Sequence, residues 1–199
     1  MGIEAAAALL ACPLCQAALG VIEGALRCTG GHSFDLARQG YANLLGGPEP
    51  ANADTVAMLA ARARVHEAGI FAPVATRVAR QVAGRSTLLE VGAGTAYYLA
   101  SALGDDPAAV GIALDVSKAA ARAAARTDPR IAAVVADVWQ TLPVRDRRLE
   151  AVLCVFAPRN LPEFARVLRP DGVLVVVTPR PDHLAGLRDR DGLLKVPPD

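Results

Sequence analysis

Five short runs, Thr87 to Val91, Val110 to Asp115, Ile131 to Ala136, Ala151 to Phe156 and Val173 to Thr178, are apolar almost from end to end, and they constrain the fold most. A strand with one wet face alternates apolar and polar residues, whereas an unbroken apolar strand needs cover on both faces, as in parallel sheets flanked by helices. The intervening segments read as those helices. Ser117 caps an alanine-rich helix that stops before Asp128-Pro129. Asn160 and Glu163 form a box-like start for a helix ending at Arg169, before the turn Pro170-Asp171-Gly172. Such alternation with right-handed crossovers predicts an α/β, doubly wound sheet. The chain is 53% hydrophobic over 199 residues, enough for one packed domain and a small appended module.

The module precedes the sheet. Cys12-Pro-Leu-Cys15 is followed by Cys28 and then His32, a spacing that closes four ligands around one structural zinc ion. Between the two pairs, Ala18 to Ile22 and Gly24 to Cys28 are short apolar runs broken at Glu23-Gly24, the pattern of a hairpin. Gly46-Gly47-Pro48-Glu49-Pro50 reads as a linker. A helix capped by Asp54 or Thr55 follows and runs to Gly69, and a second covers about Ala72 to Ala83, with Pro73 in its first turn and Gly84 past its end.

Other uses of these residues fit less well. A Cys-x-x-Cys redox pair belongs at a strand-to-helix turn, but this pair precedes any βαβ pattern and has a matched Cys and His. The apolar run leading to Leu9-Leu10-Ala11-Cys12 resembles a lipobox, yet Glu4 precedes it, no Lys or Arg does, and the run is short. Gly2 lacks the Ser or Thr at position 6 that myristoylation needs. These readings set aside, the expected location is a reducing cytoplasm, and no apolar stretch is long enough to span a bilayer. Cys154 reads as a small core residue. The net charge of +1 gives no bulk attraction to a polyanion, so any nucleic-acid contact falls to local arginines; only Lys118 and Lys195 are lysines.

Chemistry on a doubly wound sheet lies beyond the C-terminal strand ends. There the first strand runs into Glu90-Val91-Gly92-Ala93-Gly94-Thr95-Ala96. Tyr97 stands where a dinucleotide loop would place its third glycine, so the pyrophosphate-cradling form is poorly matched. The acid-x-Gly-x-Gly loop resembles motif I of class I S-adenosylmethionine-dependent methyltransferases, a Rossmann-like fold. That resemblance gives Asp115, at the second strand end, to the ribose hydroxyls and Asp137, at the third, to the adenine edge. The plain alternative is that both cap the next helix.

The whole chain resembles the bacterial 23S ribosomal RNA guanine-N1 methyltransferases, the family that includes the tylosin-resistance enzymes. The residues that carry this are Cys12-Pro-x-Cys15, Cys28, His32-Ser-Phe34-Asp35, Gly40-Tyr41-Ala-Asn43-Leu44-Leu45, Asp54, Met58, Ala61-Arg62, Gly69, Leu114-Asp115-Val116-Ser117-Lys118, Phe156-Ala157-Pro158, Leu168-Arg169-Pro170 and Thr178 to Leu184. The resemblance implies zinc on Cys12, Cys15, Cys28 and His32, and S-adenosylmethionine contacts at Phe71, Glu90, Gly92, Gly94, Thr95, Asp115, Asp137 and His183. It implies N1 methylation of a guanosine in a ribosomal RNA hairpin loop, with residues 1–45 as a zinc-binding RNA-recognition module, 46–84 as linker and helices, and 85–199 as the methyltransferase domain. The zinc module and the Arg62/Arg64 helix are expected to hold the RNA. No membrane partner is expected, a homodimer is left open, and no catalytic base is named. Ala96 replaces a frequent third glycine and Phe71 a more usual Tyr. Two further strands, one antiparallel, are usual in this fold, so the chain reads as C-terminally short. A small-molecule methyltransferase and a non-catalytic RNA- or partner-binding remnant are the competing readings.

Overall fold

The structure, a computed structural model, describes residues 2–180 together with Asp182 and His183. It begins with helix α1 (Gly2–Ala6) and a single 3-10 turn. The apolar stretch before Cys12 is therefore core, with Ile3, Ala6 and Leu10 all buried. A three-stranded antiparallel ribbon follows: β1 (Leu19–Ile22), β2 (Ala25–Cys28) and β3 (Ser33–Asp35). Its first turn, Glu23-Gly24, has positive φ at both positions, which matches the twist of a two-residue hairpin.

Tyr41–Asn43 then forms β4, helices α2 (Val56–Glu67) and α3 (Ala72–Gln81) follow, and the α/β alternation begins. It comprises β5 (Thr87–Val91), α4 (Tyr97–Leu103), β6 (Val110–Asp115), α5 (Lys118–Ala124), β7 (Ile131–Val135), β8 (Leu149–Val155), α6 (Leu161–Val167) and β9 (Leu168–Val177). All five anticipated strands form. Among the described residues the sheet nevertheless has six, because β4 pairs in parallel with β7 and extends it beyond the expected edge. The order is β4-β7-β6-β5-β8-β9, parallel throughout, and it reverses between β5 and β8.

Both faces are covered, as the apolar runs require. One face packs Leu89, Ile112, Val134 and Val152 against α1, Leu10, Leu19, Leu26 and Phe164. The other packs Leu88, Ala113 and Leu153 against α3, α4 and α5 through Val78, Leu99 and Ala121. The ribbon is thus built onto one face of the sheet, through α1 and through a bridge between Leu10 and Val144.

Two local expectations differ. Asn160 and Glu163 make no capping box; Asn160 Nδ2 donates to Val138 O at 2.8 Å, while Glu163 accepts from Leu142 N at 2.7 Å and pairs with Arg166 at 2.6 Å. The β7–β8 connection lies over the start of α6, and its unpaired backbone groups claim both side chains. The helix ends at Val167 instead of Arg169 because Leu168 turns extended and pairs with Leu149. Among the described residues, β9 has a ladder partner on one side only, and its residues are partly exposed where those of β8 are buried. The residues after His183, where the chain is expected to fall short of two further strands, lie outside the described residues.

Leu10 is fully buried between ribbon and sheet. Leu10→Ala is expected to lower unfolding free energy by about 2–5 kcal/mol, measured by urea denaturation. Ribbon and sheet signals are expected to move together in one transition.

Candidate functional site

The metal cluster is built by two backbone turns. Cys12 N–H donates to Ala17 O at 2.8 Å and Gln16 N–H to Cys12 O at 2.8 Å, folding the first knuckle; Cys28 N–H to His32 O and Gly31 N–H to Cys28 O, both at 3.1 Å, fold the second. The ligand atoms of Cys12, Cys15, Cys28 and His32 all lie within 4.8 Å of one another. Cys15 Sγ is 3.7 Å from Cys28 Sγ, and His32 Nδ1 is 3.5 Å from Cys12 Sγ and 3.4 Å from Cys28 Sγ. Tetrahedral zinc with bonds of about 2.3 Å to sulfur sets sulfurs roughly 3.8 Å apart, so this Cys3His set fits zinc and would hold it through Nδ1. A Cβ on Gly30 would come within 3.2 Å of Cys15 Sγ, so glycine there keeps the chain close around the ligands.

The second site is a cleft of about 570 Å3 over the C-terminal strand ends, within the range of small-molecule pockets. Asp115 organises it. Its Oδ2 accepts from Gly94 N and its Oδ1 from Ser117 N, both at 2.9 Å, tying the glycine loop after β5 to the turn after β6. Ser117 Oγ accepts from Ala119 N and Ala120 N, capping α5, and donates to Asp54 O at 2.7 Å. The Asp54 carboxylate grips the Arg62 guanidinium with two hydrogen bonds, of 2.5 and 3.1 Å. Arg62 in turn lies over Gly94, where a Cβ would meet its Nη1 at 2.8 Å.

Burial shapes the charges. Desolvation pushes the Glu90 carboxyl up to about 8, against the pull of the Leu99 N–H, and the nearby Asp115 adds to the rise. Glu90 Oε2 accepts that N–H at 3.0 Å and so caps the third residue of α4 from the preceding strand. The helix needs this because its own N-cap, Ala96, is left-handed and makes no side-chain cap. Burial also raises Asp115, opposed by the N–H groups of Ser117 and Gly94. Asp54 raises Arg62 above the usual arginine value.

The structure brings Phe71, Glu90, Gly92, Asp115 and Asp137 into the lining of this one cleft. Gly94 stands behind the lining, its N–H on Asp115. Thr95 is also behind it, its carbonyl accepting from Thr127 Oγ1 at 2.8 Å. His183 is exposed, in a turn where its N–H donates to Arg180 O, and is not among the lining residues. Asp115 and Asp137 do cap the following turns, Asp137 accepting from Trp139 N at 2.9 Å, yet both still face the cleft. Arg62 points into this cleft, whereas Arg64 is exposed.

Several lining residues were not assigned to a cleft from sequence. The last residue of the linker and the stretch after it contribute Pro50, Asn52, Ala53 and Asp54, the last expected as a helix cap. His66 lies on the same face of α2 as Leu59 and Arg62, a helical spacing visible in retrospect. Its ring stacks on Tyr97 with centroids 4.0 Å apart, its Nδ1 is buried without a hydrogen-bond partner among the described residues, and desolvation with the Arg62 charge pulls its pKa down. Phe156 stands at the β8 end.

Does the cleft suit S-adenosylmethionine? Gly92, at φ 61°, has no room for a Cβ, which would sit 2.7 Å from the Ala157 methyl, so backbone alone lines the loop there. Acids at three successive strand ends suit a ligand with a ribose, an amino group and a sulfonium charge. These residues fit it.

A sheet of this topology, with an acid-led glycine loop and acids at successive strand ends, defines a class I S-adenosylmethionine-dependent methyltransferase. A family model described as methyltransferase domain matches residues 88–172, and one described as RlmA, N-terminal, matches residues 10–49. A putative methyltransferase solved with the Haloferax volcanii Trm112 methyltransferase activator has the same fold, with a TM-score of 0.51 at 22% identity over 64% of this chain and 61% of that one. The chain is 50% identical over 193 residues to the 23S rRNA (guanine(748)-N(1))-methyltransferase of Streptomyces fradiae, covering 94% of this chain and 69% of that protein. It is 48% identical over 211 residues to a putative 23S rRNA (guanine-N(1)-)-methyltransferase of Micromonospora griseorubida, covering 95% and 72%. The chain belongs to the 23S rRNA (guanine-N1)-methyltransferase family.

Glu90 supplies a pH test. Its folded pKa, about 8, exceeds its ordinary 4.5, so the native state holds the proton more tightly than the unfolded chain does. That contribution is complete at low pH and is lost as pH rises from about 4.5 through 8. Glu90→Gln keeps an acceptor for Leu99 N–H and cannot ionise. It is expected to exceed the parent in stability at pH 8.5 by on the order of a few kcal/mol, the gap closing towards pH 5, by urea denaturation of the ligand-free protein.

Proposed function

We propose that this protein methylates N1 of a guanosine in a hairpin loop of 23S ribosomal RNA. The observation that carries the reading is the 50% identity to the Streptomyces fradiae enzyme over 94% of the chain, spanning both the Cys3His ribbon and the acid-lined cleft. In this reading S-adenosylmethionine, when bound, supplies an electrophilic methyl group. The chain's own residues bind and orient. Asp115 accepts the ribose hydroxyls with the lone pairs that Gly94 and Ser117 leave open. Asp137 and Val138 border the adenine end, while Glu90 and Arg62 line the part of the cleft left for the amino-acid group. Gly92 admits the ligand to the backbone, and Phe71 shields it from water.

Guanine N1 bears a proton at neutral pH that must leave to an acceptor as the methyl arrives; no side chain is assigned that role, and the work assigned to the chain's residues is positioning. That edge is the pairing edge of the base, which must therefore be unpaired or extruded, as a loop permits. Zinc on Cys12, Cys15, Cys28 and His32 holds the ribbon's shape. Ribosomal RNA as substrate also fits the expected cytoplasmic location. No helix among the described residues is long and apolar enough to cross a membrane.

N1-methylguanine blocks primer extension. A strain lacking the gene is expected to lose one reverse-transcription stop in 23S rRNA, regained with the wild-type gene and not with Asp115→Ala. Equal stops in all three strains would sink the reading.

A further inference from the structure

Phe156 holds a backbone conformation that bulky residues avoid. Its φ is 53°, in the left-handed region. Several contacts hold it there. Its N–H donates to Val177 O at 2.9 Å, and the Cys154 thiol donates to the carbonyls of Ala157 and Pro158 at 3.3 and 3.4 Å. The Ala157 methyl fills the place a Cβ on Gly92 would need. So firmly supported a ring could have been packed away, yet Phe156 is 47% exposed. It meets Phe71 with centroids 6.0 Å apart at 67° and Tyr98 at 6.5 Å and 68°, which places it edge-to-face against the cleft's aromatic wall.

Its position in the sheet gives the ring a purpose. β8 neighbours β5 at the reversal of strand order, so Phe156 stands beside Gly92, while Asp115 and Asp137 follow in the other direction at the ends of β6 and β7. If the nucleoside part of the methyl donor lies along Asp115 and Asp137, the Phe156 end is the part of the cleft left for the acceptor. Aromatic faces bind bases of any sequence by stacking, and half-exposed rings at a cleft mouth suit a base entering from solution. We infer that Phe156, backed by Phe71 and Tyr98, is the platform on which the extruded acceptor nucleobase of the RNA stacks. The inference rests on the RNA methylation proposed above and names where that site takes its substrate.

The test uses the full zinc-loaded chain and rRNA hairpins carrying 2-aminopurine at each loop position in turn. Stacking of the extruded base on wild type is expected to quench fluorescence at one position. Phe156→Tyr is expected to keep that quench. Phe156→Ala is expected to lose it, to lower kcat/KM for RNA by roughly 10- to 100-fold, and to leave S-adenosylmethionine affinity by calorimetry unchanged. Phe156→Gly, which relieves the left-handed strain, is expected to melt no lower than Phe156→Ala and to methylate no better, separating a substrate role from a structural one. Unchanged quenching and methylation in Phe156→Ala, or a matching loss of S-adenosylmethionine affinity, would overturn the platform. If wild type quenches but methylates no RNA, the proposed reaction fails and the platform stands; if it methylates without any quench, the platform fails and the reaction stands.

Discussion

The cleft depends on one buried carboxylate. Asp115 accepts the Gly94 N–H with one oxygen and the Ser117 N–H with the other, so a single side chain sets the separation of two loops from adjacent strands. The chain of contacts then closes on itself: Ser117 Oγ reaches Asp54 O, Asp54 grips Arg62, and Arg62 lies back over Gly94. Capping and ligand binding are therefore compatible roles for Asp115. A carboxylate has about four acceptor sites, and two N–H groups occupy only half of them. The cost is a carboxyl driven upward by burial and kept ionisable by those N–H groups and by Arg62.

The same wiring couples distant segments of sequence. Asp54 belongs to the stretch between ribbon and helices, so this stretch acts as a wall of the cleft as well as a connector. The ribbon joins the sheet on its α1 face, and β4, directly after it, joins the sheet edge beside β7. Metal-held ribbon and cofactor sheet thus share one core. An RNA held by the ribbon would be presented to a cleft whose position relative to it is fixed by packing and needs no hinge.

What could be read from sequence follows from physics. Strands β5 to β9 were legible because burial on both faces leaves an unbroken apolar run. The Glu23-Gly24 hairpin and the Ser117 cap were legible because their chemistry is local. β4 was not, since three residues carry no periodicity and its existence depends on pairing with β7 far along the chain. Asn160 and Glu163 misled for the same reason, long-range backbone groups outcompeting the local box. Of the site, the zinc ligands and the acids at strand ends stood out by type and spacing. His66 did not, because nothing local marks a histidine that faces an aromatic cluster. Phe156 stood out only within the resemblance carried by Phe156-Ala157-Pro158; its left-handed backbone did not, because the sign of φ in a non-glycine residue is not written in its identity.

In the proposed function this cleft directs a methyl group to N1 of an RNA guanine. Zinc-loaded protein incubated with labelled S-adenosylmethionine and unmodified 23S rRNA, followed by digestion to nucleosides, tests it most directly. Label is expected in 1-methylguanosine alone. Label in any other nucleoside, or none despite measured S-adenosylmethionine binding, would contradict it.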